Sequence, residues 1–446
     1  MEAAVGEGVA FVEHAAFIVV AAAVFIWGAV SARLERADLT APIVFTAMGV
    51  ALAGLGVVHP SSAPEALKPL VEVTLVWVLF SDAARVRVQD LRRDLGGVLR
   101  LLALGLPLTV LAGWGLASWL LPGLGVWLAL LVGAALAPTD AALGVPVVTN
   151  STVPSRVRRL ITVESGLNDG IATPVVMLAI AGAAAALAGG GESPGLDGAL
   201  VELLVGVAVG VAVGFAGGWV LGWARRRGWA AEDFIGVAVL ALALVAYLTA
   251  LAVSGNGFVA AFCGGIAFGA AAGPRGPAEL AFLEQTGSAV SLLVWLAFGA
   301  IAVPIALDHL SWTLVLYAVL SLTVVRMVPV ALALIGSWMD RDTVLFIGWF
   351  GPRGLASLVF ALLALEAVGS AADEAVAVIA VTVLLSVLAH GVSAAPLAAR
   401  YGKAASARGP EPGGAVPDLP VRGLPRARDA RHDSRTVVGD GSTGHG

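Results

Sequence analysis

The sequence predicts an all-α polytopic membrane protein of about 13 transmembrane helices, arranged as two inverted repeats with two broken, crossed helices. Three observations predict it: the apolar bulk of the chain, the alternation of basic residues between successive loops, and two interrupted apolar segments at matching places. Of 446 residues, 59% are hydrophobic and 13% charged, at a mean hydropathy of +0.93. Soluble domains carry about 25% charged residues, so this chain belongs in lipid. There, only helices and closed barrels satisfy their own backbone hydrogen bonds. The apolar stretches are continuous, without period-two alternation, and approach the roughly 20 residues that cross a bilayer as a helix. A net charge of −5 without a basic tract speaks against nucleic acid as a partner, and the single cysteine, Cys263, excludes a disulfide framework within the chain.

In order, the thirteen segments centre near residues 24, 50, 76, 110, 134, 172, 212, 242, 264, 294, 324, 355 and 385. The first, from Ala15 to Ala32, precedes Arg33, Arg36 and many further spans, so it reads as a retained helix and not as a signal peptide. The third ends in LFSDAAR and carries Asp82. The fifth, LALLVGAALAPTDAALGVPVV, has Pro138 at its centre. The sixth contains ITVESGLNDGIATP, the eleventh contains Arg326, and the twelfth, VLFIGWFGPRGLASLVFALL, carries Gly351, Pro352, Arg353 and Gly354. Proline and glycine at these depths break both helices.

Loops joining odd-numbered spans to the next carry 15 arginines, from Arg33 to Arg341, whereas the even-numbered loops carry only Lys68. The positive-inside rule therefore sets the odd loops and the C-terminus in the cytoplasm and the N-terminus outside an inner (plasma) membrane. If the seventh span, about 198–224, is a linker, the halves over about 15–190 and 230–400 each hold six spans, and the broken helix is the fifth of each. Seven spans between equivalent elements inverts the second half, the arrangement of transporters whose sites lie where broken helices meet. Residues 1–400 thus form a transmembrane domain, and 401–446, rich in Gly, Pro, Arg and Asp, form a disordered cytoplasmic tail.

Ionisable residues inside spans are functional candidates by default, because each costs several kcal/mol there. They are Asp82, Asp140, Glu164, Asp169, Arg326 and Arg353. Glu72 and the histidines His14, His59 and His309 lie near span ends, where interfacial placement accounts for them. Ser165 and Asp169, four apart, share one face of the sixth helix, and Glu164 and Asn168 share the adjacent stripe. The first face offers a hydroxyl and a carboxylate to a cation. The second offers Glu164 as partner to Arg326, whose charge needs one at that depth. Asp140, beside Pro138 and Thr139, can join unpaired carbonyls around a small hard ion, and Arg353 can stabilise the carbonyl ends of a broken helix. His390 in the thirteenth span fits packing as well as proton relay.

Burial disfavours the charged form of a carboxylate, which can then hold a proton, whereas a cation on the same oxygens favours the ionised form and expels it. One site with two competing ligands, opened alternately to each side, exchanges a monovalent cation for a proton. The expected Na+ and H+ site is Asp169 with Asp140, Ser165 and Thr139, joined by Asp82 as a second carboxylate. Asn168 leaves one titrating group in the adjacent pair, compatible with electroneutral exchange. No cofactor is expected beyond the transported ions. The alternatives are a sodium-coupled organic-anion symporter, which needs a larger polar cavity, and an intramembrane aspartyl protease using Asp140 and Asp169. Neither aspartate lies in a GxGD sequence.

APTDA, ESGLNDG, GNGFVAAFCGGIAFG, GPRGLAS and LLSVLAHGVSAAPLA, in this order on spans five, six, nine, twelve and thirteen, resemble the NhaP-type sodium/proton antiporters of the monovalent cation/proton antiporter superfamily. The resemblance covers roughly residues 15 to 400. It implies a homodimer of thirteen-span protomers, with a core around the crossed helices. It implies Asp169 and Asp140 as ion-site aspartates surrounded by Thr139, Ser165 and Asn168, an electroneutral ND motif, and a Glu164–Arg326 pair. Relatives carry a glutamate late in span three where this chain reads LFSDAAR, so Asp82 stands as the replacement, one methylene shorter.

Overall fold

The computed structural model describes residues 2–35, 39–56, 64–86, 95–189, 196–272, 280–337 and 339–407. The expected tail over 401–446 lies, beyond residue 407, outside the described residues, as do several of the arginines in the odd loops. Every described element is helical. By length and composition, seven helical stretches could each cross a membrane, and four shorter apolar helices accompany them.

The helices in order are α1 (Glu2–Glu35), α2 (Ala41–Gly54), α3 (Pro64–Arg85) and α4 (Leu95–Leu120). The fifth segment is discontinuous. Half-helix α5 (Gly125–Ala135) gives way to an extended break and then a 3-10 turn, Ala141–Gly144, leading into the single turn α6 (Val145–Val148). Next come α7 (Ser155–Leu187), α8 (Leu196–Arg226), α9 (Glu232–Ala252) and α10 (Gly257–Ala272). They are followed by α11 (Ala281–Asp308) and by α12 (Trp312–Ala333), which is interrupted at Thr323. The twelfth segment is broken too, into α13 (Arg341–Trp349) and α14 (Leu355–Val368). A short turn with Gly369 at φ 58 joins α14 to α15 (Asp373–Ser406).

Proline explains further irregularities that the apolar pattern did not disclose. Pro107 and Pro304 cannot donate to the carbonyl four residues back, and each is preceded by one π-helical turn, Leu101–Gly105 and Phe298–Ala302. Caps mark the starts of α12 and α13, where Ser311 Oγ accepts from Leu314 N at 3.4 Å and Asp340 Oδ1 from Thr343 N at 3.0 Å.

Packing without a hydrophobic drive favours small residues that let backbones approach. Helix α8 lies against α10 in this way: a Cβ on Gly210 would stand 2.4 Å from Ala260 O, and one on Gly214 2.1 Å from Gly264 O. Helix α10 in turn lies on α3, where a Cβ on Gly265 would meet Phe80 O at 2.3 Å. The most buried region is the one around the two breaks, where almost every side chain of α14 from Leu355 to Ala364 is inaccessible. At the far end of α3, Lys68 Nζ bridges to Glu366 Oε1 of α14 at 2.8 Å.

Candidate functional site

Each helix end leaves backbone groups unpaired, and in lipid each costs several kcal/mol. The two breaks solve this by capping one another. Behind the end of α5, Arg353 Nη1 donates to Ala137 O at 2.8 Å and Pro138 O at 2.9 Å, while Ser357 Oγ donates to Ala135 O at 2.6 Å. Arg353, wholly buried, brings its positive charge to the negative end of that half-helix. In the opposite direction, Asp140 N donates to Pro352 O at 2.8 Å, and Asp140 Oδ2 accepts from Leu355 N, at the start of α14, at 3.3 Å. Its other oxygen accepts from Ala142 N at 2.9 Å. The close approach demands Gly354, because a Cβ there would lie 2.2 Å from Asp140 Oδ2.

In an unbroken helix Arg353 N would bond Trp349 O. Here α15 meets both groups instead: Arg353 N donates to Ser386 Oγ at 2.8 Å, and His390 Nε2 lies 2.9 Å from Trp349 O. His390 Nδ1 closes the set, 3.2 Å from Ser386 Oγ and 2.9 Å from Ser386 O.

Glu164 of α7 and Arg326 of α12 form a bidentate pair, with Nη1 to Oε1 at 2.6 Å and Nη2 to Oε2 at 2.9 Å. Their side chains are 3% and 2% exposed, so the pair is desolvated on both sides. Arg326 also abuts the second break, since a Cβ on Gly351 would stand 2.6 Å from its Nε. The pair therefore ties α7 and α12 to the crossing.

On the neighbouring face of α7, Ser165 Oγ lies 2.9 Å from Thr139 Oγ1, and Asn168 Nδ2 donates to the same hydroxyl at 2.8 Å. Asn168 Oδ1 is buried with no hydrogen-bond partner among the described residues. Beside this cluster is a cavity of about 40 Å³ lined by Asp82, Arg85, Asp140, Thr162, Ser165 and Asp169. One water occupies about 10–15 Å³ on this measure, so there is room for a small ion with one or two waters. Carboxylate and hydroxyl oxygens are what a hard cation requires.

Asp82, Asp140, Ser165 and Asp169 thus share one cavity, with Thr139 and Asn168 in the adjoining hydroxyl cluster, while Glu164, Arg326 and Arg353 lie in the framework around it. Sequence reasoning passed over four participants. Arg85 was counted only as a loop arginine, yet it lines the cavity and its Nε donates to Glu284 Oε1 at 2.8 Å. Its spacing from Asp82, three residues on one helix, was the available signal. Nothing local marks Glu284 or Ser357, whereas Ser386 lies four residues before His390 on one face.

The profile described as Sodium/hydrogen exchanger, transmembrane, matches residues 19–400. Among curated proteins, the chain is 28% identical over 339 residues to the K(+)/H(+) antiporter NhaP of Alkalimonas amylolytica, covering 74% of this chain and 57% of that one. It is 30% identical over 151 residues to the Na(+)/H(+) antiporter ApNhaP of Aphanothece halophytica, covering 34% and 28%. These matches therefore span less than two thirds of either relative's length. The fold is similar to that of the sodium proton antiporter MjNhaP1 from Methanocaldococcus jannaschii at pH 8, with TM-score 0.70, 20% identity, and coverage of 88% of this chain and 99% of that one. A second structure of MjNhaP1 gives TM-score 0.68 at 19% identity, covering 87% and 97%.

Proposed function

Because the chain belongs to the sodium/hydrogen exchanger family, we propose that it exchanges a monovalent cation, Na+ in the first instance and otherwise Li+ or K+, for a proton across the membrane. The observation that carries the reading is the 40 Å³ cavity lined by three carboxylates and two hydroxyl side chains beside two mutually capped helix breaks. Its size supports a small cation over an organic anion, and membership in a family of transporters argues against the protease alternative. The two curated relatives are named for potassium and for sodium, so the choice of cation is an output of the test.

Asp169 is the principal carrier in this reading. Asp140 has a double task, since both its oxygens already accept backbone N–H groups and it still faces the cavity. Ser165, Asp82 and Thr139 complete the oxygen shell, and Asn168, neutral beside Asp169, favours one-for-one electroneutral exchange. A cation entering as a proton leaves keeps the net charge of the site constant. The membrane potential of about 2.3 kcal/mol per charge per 100 mV then does not act on the cycle.

The arginine bias of the loops supports a cytoplasmic C-terminus and an external N-terminus. The cavity is lined by Asp82 and Arg85 at the end of α3, by Val86 just beyond it, and by Thr162, Ser165 and Asp169 in the first half of α7, the ends assigned to the cytoplasm. This conformation is then inward-facing, with the Lys68–Glu366 bridge at the outer end. The halves over about 15–190 and 230–400, linked by a helix over about 198–224, supply one broken helix each. The exposed apolar face of α8, with Leu204, Val211, Phe215 and Trp219, is available to lipid and to a second protomer of a homodimer.

The test uses purified protein in liposomes under an imposed pH gradient. Internal pH is recorded as Na+, Li+, K+ or choline is added outside, with and without an ionophore that clamps voltage. Proton movement coupled to a small cation and indifferent to the clamp supports electroneutral exchange and names the ion. A folded protein that answers to no cation overturns the reading.

A further inference from the structure

Resting on that reading, we infer that Arg85 is a tethered cation at the entrance of the cavity that sets the affinity for the transported ion, and that Glu284 is its positioning residue. The side chain of Arg85 is 9% exposed and lines the cavity with Asp82, Asp140 and Asp169. Nε donates to Glu284 Oε1 at 2.8 Å, Nη1 stands 3.6 Å from Asp82 Oδ1, and Nη2 is buried with no hydrogen-bond partner among the described residues. A guanidinium does not deprotonate in proteins, so its charge is a permanent feature of the entrance.

Such a charge is the electrostatic equivalent of a cation already resident. It lowers the affinity of the carboxylates for an incoming ion and hastens departure of a bound one. An exchanger needs this, because a site that binds too tightly does not turn over. Glu284, from the first turn of α11, holds the guanidinium off Asp82: the contact to Glu284 is a direct charge-assisted hydrogen bond, whereas that to Asp82 is longer than one. Without Glu284 the guanidinium would settle on Asp82 and occupy a ligand position. The two residues thus act on affinity in opposite senses through one group.

The experiment measures the cation KM and the maximal exchange rate in liposomes at one fixed pH. Arg85→Gln is expected to lower KM on the order of tenfold and to reduce the maximal rate through slower release. Glu284→Gln is expected to raise KM on the order of threefold. In the double variant the Glu284 change should add nothing, because it acts through Arg85. Arg85→Lys, which keeps the charge, should stay within about twofold of the wild type. An Arg85→Gln protein that is folded and exchanges with unchanged or raised KM overturns the inference, as do additive effects in the double variant. If Arg85→Gln fails to insert, Glu284→Gln decides alone, with unchanged KM counting against the inference. Absence of exchange in the wild type would instead defeat the functional reading itself.

Discussion

Replacing Glu164 by Gln removes one charge from the bidentate pair and leaves Arg326, 2% exposed, as an uncompensated cation inside the protein. The shape of the side chain is nearly unchanged, so packing is not the variable. Breaking a buried pair from one side costs about 3–5 kcal/mol. With an unfolding entropy of about 2.1 cal/mol/K per residue over the helical domain, about 0.8 kcal/mol/K in all, 4 kcal/mol corresponds to a fall in Tm on the order of 5 °C. The assay is thermal unfolding in detergent, followed by intrinsic tryptophan fluorescence. The double variant Glu164→Gln with Arg326→Met removes the orphaned charge and should recover at least about half of the loss, as neutral replacements of whole buried pairs do. A Tm unchanged in Glu164→Gln, or a double variant no better than the single one, would refute the assignment of that energy to the pair.

Asp169→Asn keeps the shape of the cavity but removes the carboxylate. Exchange should fall to the background of empty liposomes while the protein remains folded by size-exclusion chromatography, and retained exchange would end its role as carrier. Gly354→Ala places a methyl group 2.2 Å from Asp140 Oδ2. A displacement of about 1 Å can cost about 10²-fold in rate, so exchange should drop by that order, with full activity excluding a positional role for Asp140. His390→Ala removes one of the two groups that meet Trp349 O, 2.9 Å away, and leaves that carbonyl with Gly351 N alone, at 2.8 Å. A loss of about 0.5–1.5 kcal/mol in stability should follow, whereas His390→Gln, which retains a donor, should lose less; equal losses would point to packing alone.

The broad architecture was legible because a bilayer allows few solutions. Long apolar runs become helices, and Pro138 and Pro352 mark the breaks, since neither can donate a backbone bond. Glu164 and Arg326 could be named because one buried charge demands another, although 162 positions separate them. The details of closure were not legible. The use of Ser357 and Ser386 depends on which carbonyls a neighbouring helix presents, and no local pattern carries that. The dual employment of the Asp140 carboxylate was hidden for the same reason, because its second partner, Leu355 N, comes from a distant break. Arg85 reads from the sequence as a topological marker, a role that basic residues at helix ends fill by default, and only its three-residue spacing from Asp82 marks that it also lines the cavity.

The reciprocal caps also fix an order of assembly. Asp140 and Leu355 lie 215 residues apart along the chain, as do Pro138 and Arg353. At synthesis rates of about 5–20 residues per second, the first break waits roughly 10–40 s for its partner to leave the ribosome. During that interval its carbonyls must be met by water or by the insertion machinery, since lipid offers no donors. The crossing, and with it the cavity beside it, is therefore among the last parts of the molecule to mature, and a polypeptide stopped before the twelfth segment would be left with an unfinished first half.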